Sequence, residues 1–465
     1  MQGSRNYLTD LLAISLFIAV TFFFINNYGG SISNAEETLG HLYSTPDDMF
    51  NWKTSPTQSN RILLRILLHG LYNLFDLPHN PQVFWIFFFL FMLILHIAAS
   101  CLLYIFLRVL NFDRHLSLIG TGLVAALPGN MFAYAALVFT RNDMLAYNLI
   151  LLGLLSIAKE KFYWFLLFGI LGLLTREPAG MLFFQYFANQ YYLKGLKGII
   201  SRKSFLTALV VLCTVITVRI IYHEEPFDRV EAGLYFNISN LTESIVFIFI
   251  TFGPLWFIGI SGYRLVISGT DANEINEHRY FILKSAPFMI VITLISAFLL
   301  AHVREIRVLH ISFPWLMVLC LQFIEVHWRC MGDFVGENRK AIATGGGIVL
   351  GAAAVSLLSG HLYIPGWTGD EISFLESYLW RSVLIIEIAG SFLFFWWYRW
   401  KRFDPEFARG MRISAITPPP SGCGVLLSLN TPDETAGKGP PPTADLRNFR
   451  WPSHCQGLFQ TPIAD

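Results

Sequence analysis

VFWIFFFLFMLILHIAASCLLYIFL, from Val83 to Leu107, contains no charged residue. A continuous apolar run of about 20 residues or more matches the ~30 Å hydrocarbon thickness of a bilayer, because a helix rises about 1.5 Å per residue. Water-soluble helices of this length carry a polar face, and this one has none. The stretch therefore reads as a membrane-crossing helix.

The rest of the chain agrees. Of 465 residues, 54% are hydrophobic, 42 are phenylalanine and only 14% are charged. Similar runs recur at 8–26, 116–139, 144–158, 162–175, 178–193, 205–222, 244–264, 286–302, 308–327, 341–360 and 379–398. With 83–107 they predict an all-α, polytopic transmembrane bundle of about 12 spans over residues 1–403. The segments 144–158 and 162–175 are short for a perpendicular crossing, which calls for bending or for burial among longer helices. The run Leu8–Ile25 has neither a strongly basic start nor an obvious cleavage site before Glu36, so it is kept as the first span. A formal net charge of +1 gives no basic footprint for nucleic acid, and no nucleic-acid partner is expected.

Charge placement predicts orientation. With the N-terminus inside, the cytoplasmic connections hold Lys159 and Lys161, then Lys194, Lys197, Arg202 and Lys203, then Arg264, Arg279 and Lys284. Arg329, Arg339 and Lys340 follow, and Arg399, Lys401, Arg402, Arg409 and Arg412 come after the last span. The opposite face collects acids, among them Glu36, Glu37, Asp47, Asp48, Asp143, Glu177 and Glu305. Both termini are thus expected in the cytoplasm.

The first external loop, 28–82, holds an amphipathic segment. Arg61, Arg65 and His69 recur every fourth residue and share one helical face, while Ile62, Leu63, Ile66, Leu67, Leu71 and Leu74 supply the apolar remainder. It reads as an interfacial helix over Arg61 to Phe75, ended by Asp76, Pro78 and Pro81. Residues 404–465 carry ten of the 21 prolines and read as a Pro-rich, disordered cytoplasmic tail. Cys101, Cys213 and Cys320 fall within spans and Cys330, Cys423 and Cys455 on the cytoplasmic side, so free thiols are expected.

Chemistry is sought where the charges gather. Glu36, Glu37, Asp47 and Asp48 stand beside Phe50 and Trp52, and an aromatic ring next to carboxylates suits a sugar face. A carboxylate can take the proton of an acceptor hydroxyl as that oxygen attacks. A solvated acidic loop is the plainer reading of any one of them. Arg61, Arg65, Arg141, Arg176, Arg304 and Arg307 run against the positive-inside bias. Ion pairing with sequence neighbours (Arg141 with Asp143, Arg176 with Glu177, Arg304 with Glu305) or snorkelling accounts for some of them. Recognition of a phosphate by guanidinium groups is the sharper alternative.

Three places carry a resemblance. They are Asn34-Ala-Glu-Glu-Thr-Leu-Gly-His-Leu-Tyr43 with Thr45-Pro-Asp-Asp and Asn60-Arg-Ile-Leu-Leu-Arg, then Arg141-Asn-Asp-Met-Leu-Ala with Leu174-Thr-Arg-Glu-Pro-Ala, and Val303-Arg-Glu-Ile-Arg-Val. The chain, over roughly Leu8 to Leu319, resembles the GT-C superfamily of integral membrane glycosyltransferases, chiefly bacterial members that use polyprenyl-phosphate sugars. The resemblance implies a base among Glu36, Glu37, Asp47 and Asp48, with Asp143 as a second acid. It implies donor-phosphate or sugar binding by Trp52, Arg61, Arg65, Arg176, Glu177, Arg304 and Arg307. No cofactor is required; a divalent cation, Mg or Mn, between the first-loop acids and a donor phosphate is compatible with this chemistry. The implied partners are membrane lipids, a lipid-linked sugar donor and a lipid or glycan acceptor of the cell envelope. The implied location is a bacterial inner (plasma) membrane with the active site external.

The competing expectation is a transporter or flippase of lipid-linked or small solutes, with a glycan polymerase or ligase as a third. Glu387 inside the last span favours the transporter. His96 in the second span reads as a packed, hydrogen-bonded histidine. No His/Cys cluster has structural metal spacing.

Overall fold

A computed structural model describes residues 2–28, 62–78, 81–135, 137–222, 234–267, 277–300, 306–358 and 378–403, all within one compact unit, Met1–Pro405. All regular structure among the described residues is helical. The chain runs α1 (Gln2–Tyr28), α2 (Ile62–Leu74), α3 (Pro81–Val109), α4 (Arg114–Ala126), α5 (Pro128–Ala135), α6 (Leu137–Ala158) and α7 (Phe162–Thr175). A 3-10 turn, Glu177–Gly180, leads to α8 (Met181–Lys194), a single helical turn (Leu196–Ile199), α9 (Arg202–Tyr222), α10 (Leu241–Phe252) and α11 (Leu255–Ile267). Then come α12 (Glu277–Leu300), α13 (Ile306–His310), α14 (Phe313–Glu337), α15 (Arg339–Leu358) and α16 (Tyr378–Phe403). The Pro-rich segment 404–465 lies outside the described residues.

α1 shows how these helices present an apolar face outwards as well as inwards. Asp10, Ile14, Ile18, Phe22 and Asn26 recur every fourth residue and are buried against the protein. Leu12, Leu16, Val20 and Phe24 recur with the same spacing on another face, 60 to 67% exposed. A helix of a water-soluble protein places polar residues there. α3 repeats the pattern, with Phe84, Phe88 and Met92 inside and Ile86, Leu90 and Ile94 outside.

By length and apolar composition, four helices could cross a membrane: Tyr7–Asn26, Gln82–Val109, His278–Leu299 and Arg381–Trp400. A fifth is the pair α10 and α11, bent by 68°. The twelve spans expected from hydropathy fall on helices, but several are shorter or broken. The run 116–139 is cut at Leu127, whose extended backbone (φ −64°, ψ 145°) is the conformation that the following Pro128 favours. The run 308–327 is divided between α13 and α14. α6 is longer than its hydrophobic run and is buried from Asn142 to Ile150, and α7 has 14 residues.

The core joins α3, α6, α8, α11, α12 and α14. α11 lies so close to α14 that a Cβ at Gly262 would stand 2.1 Å from the Leu319 carbonyl oxygen, so only glycine permits this approach. At the end carrying the α3–α4 turn, Arg114 grips Asp10 through two nitrogens (Nε at 2.8 and 3.0 Å, Nη2 at 2.5 Å), and the Tyr104 hydroxyl donates to the same carboxylate at 2.6 Å. Nearby, the Arg279 guanidinium lies 3.7 Å from the Phe112 ring centroid and binds Gln322 (2.6 Å) and Glu325. These are interhelical clamps, the first joining α1, α3 and α4 and the second α12 and α14. Neither was visible as a pair in the sequence.

The amphipathic helix forms as α2, with its apolar residues divided differently from expectation. Leu64, Leu68 and Tyr72 point into the protein against α6, α7 and the start of α3, whereas Ile66, Leu67 and Leu74 are exposed. α2 is therefore apolar towards the protein and also on an outward face, as suits a helix wedged between a bundle and lipid. Cys101, Cys213, Cys320 and Cys330 are free thiols.

Candidate functional site

The site is best built from the first half of α6. Asp143 is 1% exposed and Arg176 5% exposed, and the two side chains form an ion pair. The local sequence explains why they meet. α7 ends at Thr175, and Arg176 takes an extended backbone (φ −162°, ψ 136°), donating its N–H to the Gly172 carbonyl. Glu177-Pro178 then turns the chain away, which aims the Arg176 side chain back across the α6–α7 contact. Sequence adjacency predicted Arg141 for Asp143 and Glu177 for Arg176. The Asp143–Arg176 pair joins two helices, because the antiparallel hairpin of α6 and α7 brings the start of one beside the end of the other. Two charges buried this deeply are tolerable only together.

One turn along α6 from Asp143, Tyr147 packs against His310 of α13 (centroids 5.4 Å) and Phe313 of α14 (5.6 Å). The next residue is Asn148, whose amide donates to the Leu95 carbonyl of α3 at 3.0 Å. Between these helices is a small cavity lined by His96, Ser100, Asn130, Tyr134, Met144 and Tyr147, among others. It has room for about one water molecule, far below what a hexose needs. His96 is not hydrogen-bonded as expected. Neither ring nitrogen has a partner among the described residues, and the ring lies between Phe22 (5.4 Å) and Tyr134 (4.6 Å). His310 is equally buried and also lacks partners at both nitrogens.

Of the residues singled out from sequence, Asp143 and Arg176 are brought together. Glu177 is exposed at the start of the 3-10 turn beside them. Arg65 lies on α2, which packs on both α6 and α7. Arg307 lies on α13, which docks on α5 and, through His310, on Tyr147. The side chains of Arg65, His69, Arg141 and Arg307 lie outside the described residues, as do Glu36, Glu37, Asp47, Asp48, Trp52, Arg61, Arg304 and Glu305 entirely. Among the described residues no three His, Cys, Asp or Glu side chains come together as a metal site. Sequence reasoning passed over Tyr147, Asn148 and His310. The spacing of Asp143 and Tyr147, four apart on one helix, was the available signal.

Searches for a matching family model, curated protein or solved structure find none. The fold and site define an all-helical protein with several helices able to span a membrane. A buried ion pair lies at the end of α6 opposite Lys159 and Lys161.

Proposed function

We propose that the chain is an integral membrane glycosyltransferase of GT-C type, working at the external face of a bacterial inner membrane. It would move a sugar from a polyprenyl-phosphate donor to a lipid or glycan acceptor. The observation that carries the reading is the Asp143–Arg176 pair, buried where α2, α6 and α7 converge. α2 packs on both α6 and α7, and Asn26 near the end of α1 donates to the Tyr134 carbonyl of α5, so the helices that border the first loop in sequence both reach this part of the bundle. A donor whose prenyl chain lies in lipid and whose sugar phosphate lies in water is best handled at such an edge. In this reading one of Glu36, Glu37, Asp47 and Asp48 deprotonates the acceptor hydroxyl while Trp52 stacks on the sugar. Arg61, Arg65, Arg304 and Arg307 balance the charge left on the departing phosphate. Arg176, already engaged by Asp143, fixes the floor of the site. The short and broken helices provide the further passes of a twelve-span bundle.

Purified protein in liposomes should transfer radiolabelled sugar from a polyprenyl-phosphate donor to a lipid acceptor. Movement of the intact donor between leaflets without a new glycosidic bond would instead establish the flippase reading. One feature favours that second reading: α10 and α11 are a bent pair, and Glu387 lies against the bend.

A further inference from the structure

α16 is apolar along most of its length but carries Glu387 within the apolar segment Arg381–Trp400. The carboxyl is lodged against Gly253, where a Cβ would stand 1.5 Å from Oε2 and 2.2 Å from Cδ. Gly253 is the residue at which α10 stops. Its φ of 48° lies in the left-handed region that favours glycine, and its N–H donates to the Phe249 carbonyl at 2.7 Å. α11 departs at 68° just beyond it. Three residues along α16, Gly390 leaves space for Pro254, with 3.1 Å between a built Cβ and the proline ring. A large side chain at either glycine would push α16 off the bend, so the two glycines and the break together form the notch that holds Glu387.

Among the described residues no counter-charge pairs with it. The charged and titratable groups on the surrounding helices are Glu243 on α10, Tyr263 and Arg264 on α11, Cys320, Glu325, His327, Arg329, Cys330, Asp333 and Glu337 on α14, and Arg339 and Lys340 on α15; α16 itself adds Tyr378, Arg381, Tyr398, Arg399, Lys401 and Arg402. Among the described residues none of them forms an ion pair or hydrogen bond with the Glu387 carboxyl. His327 is instead packed between the rings of Phe323 and Trp397. An unpaired carboxylate among apolar side chains costs several kcal/mol, and taking up a proton removes that cost. Glu387 itself is partly exposed, and Ile386 and Ile388, to either side of it around the helix, are 44% and 53% exposed, so the notch opens at an apolar surface of α16.

We propose that Glu387 is a proton-binding carboxyl set into the α10–α11 break and reachable from the hydrocarbon. The site is independent of whichever reaction the opposite features perform, since it shares no residue with Asp143, Arg176 or the first loop. It predicts a chemical reactivity. A hydrophobic carbodiimide adds to a protonated carboxyl: the acid proton passes to one carbodiimide nitrogen and the oxygen attacks the central carbon. An O-to-N acyl shift then leaves a stable N-acylurea with no leaving group.

The experiment treats the full chain in liposomes with dicyclohexylcarbodiimide or with a water-soluble carbodiimide and maps the adduct by peptide mass. The peptide containing Glu387 is expected to gain one reagent mass about tenfold faster with the hydrophobic reagent at neutral pH, and more slowly as pH rises and the proton is lost. Glu387→Gln, close in shape, should leave that peptide unlabelled while the protein remains folded. Absence of the adduct, or equal labelling by both reagents, would overturn the proposal. A rate that does not change with pH would do so as well.

Discussion

At least one of the substitutions Glu36→Gln, Glu37→Gln, Asp47→Asn and Asp48→Asn is expected to abolish sugar transfer while leaving the amount of protein in the membrane unchanged. Each removes a proton acceptor and keeps nearly the same shape. Loss of a general base costs about 100- to 10,000-fold in rate, well outside the scatter of a transfer assay. The acids lie in a hydrophilic stretch of sequence between two apolar helices. Asp48 and Glu37 are the preferred positions. Full activity in all four variants would remove the proposed mechanism, because no other acid-rich segment precedes the second long apolar helix.

The second large effect concerns Asp143 and Arg176. Arg176→Ala leaves a carboxylate at 1% exposure without its guanidinium, and Asp143→Asn leaves the cation in the same position. Breaking a buried pair from one side costs about 3–5 kcal/mol, a large fraction of a typical net stability. Replacing both, as Asp143→Leu with Arg176→Met, removes the desolvation penalty along with the attraction and is expected to be neutral or stabilising by about 1–4 kcal/mol. Thermal melting of the three variants in detergent checks this pattern. The double variant should recover stability without recovering transfer, which separates the pair's place in the site from its part in folding. Single variants that melt with the wild type would contradict the account of the pair.

Much of the fold was legible because lipid imposes a strong requirement. Every backbone polar group must be satisfied internally, and the apolar runs therefore had to be helices. The number of crossings was less legible. Hydropathy averages over a window and passes smoothly across Leu127-Pro128 and Gly253-Pro254, where the backbone turns. Both dipeptides are recognised breakers, and reading them as such would have divided those two runs.

The site was legible in part for a different reason. Asp143 and Arg176 stood out as charges at the ends of apolar runs, but their partnership depends on how α6 and α7 pack, which sequence adjacency does not show. His96 illustrates the same limit. A histidine in a span was read as hydrogen-bonded because buried polar groups usually are. Its neighbours proved to be aromatic rings and a cavity with room for about one water.

The central claim is that the first loop and the Asp143–Arg176 end of the bundle form one donor site. A polyprenyl-phosphate sugar bearing a photoreactive group beside the phosphate tests it most directly, with crosslinked peptides mapped after irradiation in liposomes. The account predicts adducts within 28–61 and in the peptide that contains Arg176. Adducts confined to the Gly253 and Glu387 region would contradict it and place the lipid-linked substrate inside the membrane instead.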